Sequence, residues 1–273
     1  MTTHASTTTT KPLGAPDPAQ LQQRAQALRL AGLLAHWDAV QGDPARLSWT
    51  RDLLGWEKNE RARRSLERRL RSAHIGRFKP LADFDWDWPT HCDRAAVQEL
   101  MMLSFMADAT NVVLVGPNVA GKSMLACNLG HQALIEGRTV LFTTAGQLLG
   151  DLSALDSDST LRRRLLHYSA PDLLLIDEVG YLSYSNRHAD FAGELVSRRY
   201  ENKSTVVTTN RSLKEWHEVF PNAACVVSLI DRLVHRCRVV PIKGKSYRLK
   251  EAKERAEKKS ALRGTPARKV KKS

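Results

Sequence analysis

The residues most able to do chemistry form a glycine- and lysine-containing stretch at positions 116–123, which reads Gly-Pro-Asn-Val-Ala-Gly-Lys-Ser. It follows the apolar run 112–115 and so lies between a predicted strand and a helix start. Gly116 and Gly121 let the backbone turn tightly, so that its N–H groups converge on phosphate oxygens. Lys122 then reaches the β- and γ-phosphates of ATP, and Ser123 holds Mg²⁺. The expected nucleotide-binding residues are Gly116, Pro117, Asn118, Val119, Ala120, Gly121, Lys122, Ser123 and Met124.

A second candidate site lies where the apolar run 173–176 ends in Asp177 and Glu178. A parallel strand covered on both faces reads as continuous apolar residues. Carboxylates at its carboxyl end are costly without a charged partner, and Mg²⁺ supplies one. We therefore expect Asp177 to act on the metal with Ser123, and Glu178 to polarise the water that attacks the γ-phosphate.

The loop departs from the commonest phosphate-binding pattern at Val119, where glycine is usual. A β-branched residue resists positive φ and crowds a backbone that must approach phosphate closely. Two readings follow: the loop runs with negative φ at this position, or nucleotide binding is weakened.

Composition places the chain among globular proteins without a membrane segment. It has 273 residues, 42% of them apolar, and no apolar run approaches the length of a membrane span. The Thr-rich N-terminus lacks a secretory signal, so we expect a cytoplasmic location and no membrane partner. The cysteines are scattered without a Cys-x-x-Cys pair, which favours reduced packing residues at Cys92, Cys127, Cys225 and Cys237.

The net charge of +13 is concentrated in two blocks. Residues 51–79 hold ten Lys or Arg against four acidic residues, and residues 250–273 hold ten against three. Localised positive blocks beside a neutral core favour a polyanionic partner, DNA or RNA. The alternative is that both blocks are only solvated helix faces and a charged tail. The predicted DNA-binding residues are Arg61, Arg63, Arg64, Arg68, Arg69 and Arg71.

The pattern of elements predicts a parallel sheet with helices between its strands. Residues 62, 66 and 70 form an apolar row on a helix whose other faces carry the arginines. Further on, the predicted strands are 112–115, 139–144, 172–177 and 204–209. Helices are predicted at about 94–106, from Lys122, near 145–168, at 188–200 and on both sides of Pro221, before a closing hairpin around Gly244.

Five segments follow from these patterns. We expect a disordered N-terminal tail at 1–20, a helical arginine-rich DNA-binding domain at 21–75 and a linker at 76–93 that lies over the next domain rather than within its core. The nucleotide-binding domain is expected at 94–250 and a basic tail at 251–273.

The order of these motifs resembles the IstB family of transposition helper ATPases, which belong to the AAA+ class and are related to DnaC-type helicase loaders. The resemblance runs from about residue 28 to 250 and includes the two nucleotide motifs, the arginine-rich helix, and the segments 83–85, 176–182, 208–210, 229–236 and 245–250. It implies a P-loop AAA+ three-layer αβα fold with a parallel sheet, preceded by a small all-helical domain and lacking a C-terminal lid domain. It also implies that the strand ending at 208–210 lies between the two nucleotide strands.

The resemblance also assigns roles to two further residues. Asn210 resembles the sensor that holds the attacking water beside the γ-phosphate. Arg232 resembles the arginine that enters a neighbouring subunit's nucleotide site, with Arg236 as a weaker alternative. A homo-oligomer with ATP between subunits is thereby implied, and without a lid the segment around Trp86 and Trp88 is expected to cover the adenine.

The leading functional hypothesis is an ATPase that assembles on double-stranded DNA and recruits the transposase of the same mobile element, with Lys122, Glu178, Asn210 and Arg232 as catalytic residues. The first alternative is a DnaC-like helicase loader, which would prefer single strands. The arginine helix lacks the stacking aromatics usual in single-strand binding, and this favours duplex DNA. A nucleotide kinase would leave the basic blocks unused, and a DNA binder that no longer hydrolyses ATP would not need Asp177 and Glu178.

Overall fold

The computed structural model of the chain describes residues 17–118, 120–181, 185–220 and 223–244. The chain divides into two compact units, Met1–Glu67 and Arg68–Ser273. The division falls inside helix α4 (Pro44–Ala73), whereas the sequence predicted a first domain at 21–75 and a linker at 76–93. The expected tail at 251–273, the hairpin residues beyond Gly244 and the lid prediction all lie outside the described residues, as does the N-terminal tail up to residue 16.

The N-terminal unit is helical and has a small core of its own. Asp17 caps the first helix by accepting a hydrogen bond from the Ala19 N–H at 3.0 Å, and Asp43 caps α4 through the Ala45 N–H at 2.8 Å. The first helix therefore begins at Pro18, which lies inside the segment 1–20 that was predicted to be disordered. The helices before α4 are α1 (Pro18–Ala27), α2 (Ala31–Ala35) and α3 (Trp37–Gln41), and the core consists of Leu21, Ala25, Trp37, Leu47 and Leu54.

The apolar row predicted on the arginine-rich helix is not buried. Ala62 is exposed, Leu66 is half-buried and Leu70 is 39% exposed. The buried side of α4 lies in its first half, where Leu47 and Leu54 are seven residues apart and so share one face. The second half is too rich in charged residues to supply a continuous buried stripe.

The second unit contains a six-stranded sheet in the order β1-β6-β2-β5-β4-β3. Strands β2 to β6 are mutually parallel, and β1 pairs antiparallel with β6 at the edge. The strands are β1 (Pro89–Cys92), β2 (Asn111–Val115), β3 (Val140–Thr144), β4 (Leu173–Val179), β5 (Ser204–Thr209) and β6 (Cys237–Gly244). Because β5 lies between β2 and β4, the sheet has the strand insertion that the family resemblance implied.

Helices cover both faces of this sheet. Leu174 packs into the larger core cluster with α7, α8, α9 and α11, whereas the next residue, Leu175, faces Gly130 of α6. Alternation along a strand sends successive side chains to opposite faces, so the unit has three layers. Its helices are α5 (Arg94–Met101), α6 (Lys122–Ile135), α7 (Ala145–Ser153), α8 (Asp158–Ser169), α9 (Asn186–Arg199), α10 (Trp216–Val219) and α11 (Ala223–His235).

The predicted linker at 76–93 is a partial error, because its last residues form β1 and belong to the sheet. Pro89 pairs with Gly244 and Cys92 with Ile242. Four residues without alternation give no strand signal, and the hydrogen bonds come from a strand about 150 positions later. Within the described residues, none of the helices is long and apolar enough to cross a membrane.

Candidate functional site

Both glycines of the loop after β2 are required because neighbouring atoms leave no room for a side chain. A Cβ at Gly116 would lie 2.0 Å from the Ile242 carbonyl oxygen of β6. Gly121 has φ +94, and a Cβ there would lie 2.6 Å from the Phe84 ring. The loop is thus held between β6 on one side and the segment before the sheet on the other. Val119 lies outside the described residues, so both readings of that position stay open.

Lys122 is folded back onto its own loop. Its side chain is buried, and Nζ donates to the carbonyl oxygens of Gly116 at 2.8 Å and Pro117 at 2.7 Å. Burial disfavours the ammonium form and lowers the pKa of Lys122 below its usual value. The amine is therefore already desolvated and held by neutral acceptors, which phosphate oxygens of higher charge can replace.

Ser123 and Asp177, the two residues expected to act on the metal, are in direct contact. Ser123 Oγ, in the first turn of α6, donates to Asp177 Oδ1 of β4 at 2.9 Å. Asp177 is only 7% exposed, and the Thr208 hydroxyl of β5 donates to the same oxygen. A hydroxyl and a carboxylate beside a phosphate-binding loop are oxygen ligands of the kind Mg²⁺ takes. Among the described residues no cluster of three or more His, Cys, Asp or Glu could hold a metal, so the phosphates would have to complete the coordination.

Glu178 projects from the sheet at a distorted point of β4. Its φ is +62, a left-handed conformation that costs a non-glycine residue roughly 1–3 kcal/mol. The side chain is exposed, in contrast to Asp177. The neighbouring Gly180 also has positive φ, at +86. Adjacent carboxylates therefore have different environments: one is buried against Ser123, and the other faces solvent where a water can reach it.

Asn210 comes directly after β5, at the carboxyl edge of the sheet, and is exposed. Since β5 lies between β2 and β4, Asn210 shares this edge with the phosphate loop and the acidic pair. That is the place the sensor assignment requires, although its role stays a prediction.

Arg232 lies at the opposite edge. Its Nη1 donates to Ser197 Oγ of α9 at 2.7 Å. The end of its helix is fixed at the start of β2, where the Asn111 side chain donates to the Leu233 carbonyl at 3.0 Å. Parallel strands place the phosphate loop at their carboxyl ends, so Arg232 does not reach the nucleotide site of its own chain. Arg236 is also at this edge and contacts the Asp108 carbonyl at 3.4 Å.

A cavity of about 340 Å³ opens beside the phosphate loop. Phe84, Trp88 and Lys122 contribute to its lining. Trp86 does not line it; instead its ring lies 4.7 Å from that of Phe84 and 5.2 Å from the Arg94 guanidinium. The sequence grouped the two tryptophans together, and it left Phe84 without a role beyond the family resemblance. Its place in the cavity lining and its close approach to Gly121 identify Phe84 as a neighbour of the loop.

The described cysteines are free thiols with packing roles. Cys127 also lines the cavity, and burial raises its pKa to about 12. Burial likewise raises the pKa of Cys237 to about 11. Both thiols are thus neutral at physiological pH and are poor nucleophiles.

The six predicted DNA-binding arginines fall into two groups. Arg61 pairs with Glu57, while Arg63 and Arg64 both pair with Glu60. Arg69 donates to the Leu134 carbonyl at 3.1 Å. Arg68 and Arg71 are exposed, and their guanidinium groups have no hydrogen bond or ion pair within the described part of the chain.

The carboxylate of Glu60 is strongly committed to its two partners. Hydrogen bonds from Arg63 and Arg64 lower its pKa to about 2. The positive charge of these two arginines is therefore partly neutralised locally, which the count of basic residues did not reveal.

The chain is similar to ATP-binding proteins of insertion sequences. Residues 23–255 match the family described as IstB-like ATP binding protein. The insertion sequence IS21 ATP-binding protein of Pseudomonas aeruginosa is 36% identical over 198 residues, covering 72% of this chain and 75% of that protein. The IS5376 ATP-binding protein of Geobacillus stearothermophilus is 32% identical over 206 residues, covering 76% and 82%. The crystal structure of DnaI has a similar fold, with a TM-score of 0.51 at 20% identity over 62% of this chain and 93% of that one.

Proposed function

Because this chain belongs to the IstB-like ATP-binding protein family and has a P-loop AAA+ fold, we propose that it hydrolyses ATP while assembled on duplex DNA and recruits the transposase of its own insertion sequence. The single observation that carries the hydrolysis proposal is the contact of Ser123 with Asp177 beside Lys122. Lys122 and Ser123 begin α6 and Asp177 comes from β4, so the fold brings together the groups that phosphoryl transfer requires at a phosphate and its metal.

The chain's own groups divide the work of hydrolysis. The loop N–H groups bind the phosphates, and Lys122 exchanges its loop carbonyls for the β- and γ-phosphate oxygens. Ser123 and Asp177 would hold Mg²⁺, which would supply positive charge to stabilise the phosphates. Glu178 takes a proton from water at its exposed carboxylate, and Asn210 orients that water from the adjacent strand end. Burial of Lys122 and Asp177 strengthens these interactions by excluding solvent.

Arg232 acts on the site of a neighbouring subunit in this proposal. Its position at the edge opposite its own loop keeps it away from its own nucleotide and so supports a role in trans. There the guanidinium would stabilise charge that develops in phosphoryl transfer. Its hydrogen bond to Ser197 is to a neutral hydroxyl and is weaker than one to phosphate.

The cavity beside the loop fits the base and sugar of ATP. Its volume is within the range of nucleotide-sized sites. Trp88 offers an aromatic surface there, whereas Trp86 supports Phe84 from outside. Replacing Trp88 by Ala should weaken binding of a fluorescent ATP analogue about tenfold, while Trp86→Ala, the matched control, should change it less. Equal losses of binding in the two variants would contradict the proposal that Trp88 contacts the nucleotide.

Duplex DNA is the proposed polyanion because the arginines at 61–71 of α4 offer charge with no stacking aromatic residue between them. Contacts of this type grip phosphates and tolerate any sequence. The relatives named above belong to insertion sequences, and we carry that context to this chain: a DNA-bound assembly of an insertion sequence has the element's transposase as its natural partner.

Sedimentation of the full chain with duplex or single-stranded DNA, each with ATP or ADP, tests the proposal. A Glu178→Gln variant keeps the size of the side chain and removes its proton acceptor, so it should trap the ATP-bound assembly. ATP-dependent assembly on duplex that is strengthened in this variant would support the proposal. A preference for single strands would instead indicate a helicase-loader activity, and assembly that ignores the nucleotide would reject ATP control.

Recruitment needs its own experiment. Pull-down of the transposase of the same insertion sequence should require ATP and duplex DNA together. Binding that is equal without either would contradict a role of the assembly in recruitment.

A further inference from the structure

The pairing of β4 with β5 is irregular at the acidic pair. Ile176 pairs with Val207 and Val179 with Thr209, so two residues of β4 stand opposite one residue of β5. Those two residues are Asp177 and Glu178, and the single residue opposite them is Thr208. This is the arrangement of a β-bulge, which re-aims side chains at the cost of local pairing.

The Thr208 hydroxyl occupies the gap in this ladder. The Glu178 N–H donates to Thr208 Oγ1 at 3.0 Å, and the hydroxyl in turn donates to Asp177 Oδ1. The direction of both bonds is fixed, because a backbone N–H can only donate and an ionised carboxylate can only accept. Thr208 is 1% exposed, so water does not compete for either bond.

We propose that Thr208 is a positioning residue that locks the bulge and sets both carboxylates for their separate roles. The proposal rests on the proposed ATPase function. Through one hydroxyl, Thr208 keeps Asp177 aimed at Ser123 and holds the left-handed backbone that turns Glu178 outward. It lies two residues before Asn210, so it also fixes the strand of the proposed sensor to the acidic pair.

The Thr208 hydroxyl is most important when ATP and Mg²⁺ are bound. Asp177 Oδ1 accepts from both Ser123 and Thr208. Once Ser123 turns its oxygen to a metal, Thr208 is the remaining donor of this pair. Loss of a hydrogen bond to a buried carboxylate should therefore affect Mg²⁺ affinity and turnover more than ATP affinity.

A buried threonine could serve stability alone, and the same strand offers a matched control. Thr205 is also buried, and its hydroxyl accepts from Arg199 at 3.0 Å, away from the acidic pair. Thr205→Val and Thr208→Val make the same chemical change three residues apart on one strand. Thr208→Ser restores the hydroxyl and removes only the methyl group.

The experiment measures kcat, the KM for ATP and the Mg²⁺ concentration that gives half-maximal hydrolysis, all with the full chain. Thr208→Val should raise the Mg²⁺ requirement and lower kcat, each by about tenfold or more, with the KM for ATP within about twofold of wild type. Thr208→Ser should return both to near wild type, and Thr205→Val should leave the Mg²⁺ requirement unchanged. A wild-type Mg²⁺ requirement in Thr208→Val, or the same shift in Thr205→Val, would overturn the proposal.

Two additional readouts separate this proposal from the proposed function. If wild type does not hydrolyse ATP, the ATPase proposal fails, and Mg²⁺-dependent binding of a fluorescent ATP analogue still compares the Thr208 variants. If Thr208→Val does not fold, amide exchange by NMR in the unmodified protein tests the bulge: the Glu178 N–H should be protected, and rapid exchange would overturn its bond to Thr208.

Discussion

The ionisable groups at the nucleotide loop and those of helix α4 find their partners in opposite ways. Ser123 and Asp177 are 54 positions apart, and Asp177 is buried. On α4, Arg63 and Arg64 bind Glu60 only three and four residues away, on an exposed surface. The first contacts exist only when the sheet is assembled, whereas the second need no more than a helix.

This difference indicates what each region can do. A buried carboxylate without partners is costly, so the groups at the loop must keep one geometry. Exposed pairs contribute little to stability and exchange partners easily. The loop is therefore suited to precise phosphate chemistry, and the α4 arginines are suited to backbone phosphates of any DNA sequence.

The largest expected effect tests the buried region directly. Lys122→Met keeps the length of the side chain and removes its charge, and it should reduce ATP hydrolysis by at least about a hundredfold. A control is Lys203→Met, because Lys203 pairs with Asp172 at 3.7 Å away from the loop. Steady-state phosphate release measures both. Near-wild-type activity of Lys122→Met would mean that the loop is not a catalytic site.

The second prediction compares one residue type in the two settings. Arg199 is 2% exposed and donates to Thr205 Oγ1 and to main-chain carbonyls, and burial lowers its pKa to about 10. Arg199→Met leaves those carbonyls unpaired and should lower the free energy of unfolding by about 3 kcal/mol. Arg64→Met, on the exposed face of α4, should unfold like wild type.

Urea unfolding followed by circular dichroism measures this comparison. Equal unfolding midpoints for the two variants would break the distinction between buried and exposed arginines, because it depends on the cost of unsatisfied buried groups.

The third prediction concerns Arg68 and Arg71, two exposed arginines of α4 whose guanidinium groups have no partner within the described residues. Arg68→Ala combined with Arg71→Ala should weaken binding to duplex DNA about tenfold at physiological salt and reduce the slope of log affinity against log salt by about two. Arg61→Ala is the control, since Arg61 already pairs with Glu57 and with the Leu28 carbonyl. Fluorescence anisotropy across a salt series gives both quantities. A larger loss in the control would reverse the assignment.

The smallest expected effect tests whether Glu60 limits DNA binding by the arginines beside it. Glu60→Gln removes the carboxylate partner of Arg64, whereas Arg63 keeps its second partner, Glu67. The variant should increase affinity for duplex DNA about two- to threefold at low salt, with no increase at high salt. The pKa of Glu60 is lowered to about 2 from its ordinary 4.5, so its pairing is present above that ordinary value and is lost as pH falls through about 2. Titration of Glu60 should therefore cause no change in DNA binding by the unmodified chain near neutral pH, as measured by anisotropy. Weaker DNA binding by Glu60→Gln would contradict the prediction that Glu60 neutralises the arginines.

Much of the fold could be predicted because its signals are local. The strands β2 to β5 were predicted within one residue at every end except the carboxyl end of β4, which lies two residues further on. Buried apolar runs followed by glycine or polar residues are recognised over a short window. The edge strand β1 could not be predicted, because its only support is pairing with β6. Part of the arginine pairing was readable: Glu57 and Glu60 precede Arg61 and Arg64 by four residues. The net charge of the segment does not show this spacing of opposite charges.

The sequence by itself determined that a glycine-containing loop follows β2 and that an acidic pair lies near the carboxyl end of β4, because glycine conformation and strand burial act over a few residues. Only the tertiary structure decided that Thr208 meets Asp177, that Trp88 rather than Trp86 lines the cavity, and that Arg232 is at the far edge of the sheet. Each of these depends on the order of strands, which brings together groups that are dozens of residues apart. The local sequence around each residue does not determine the order of the strands, because that order results from the packing of the whole sheet against its helices.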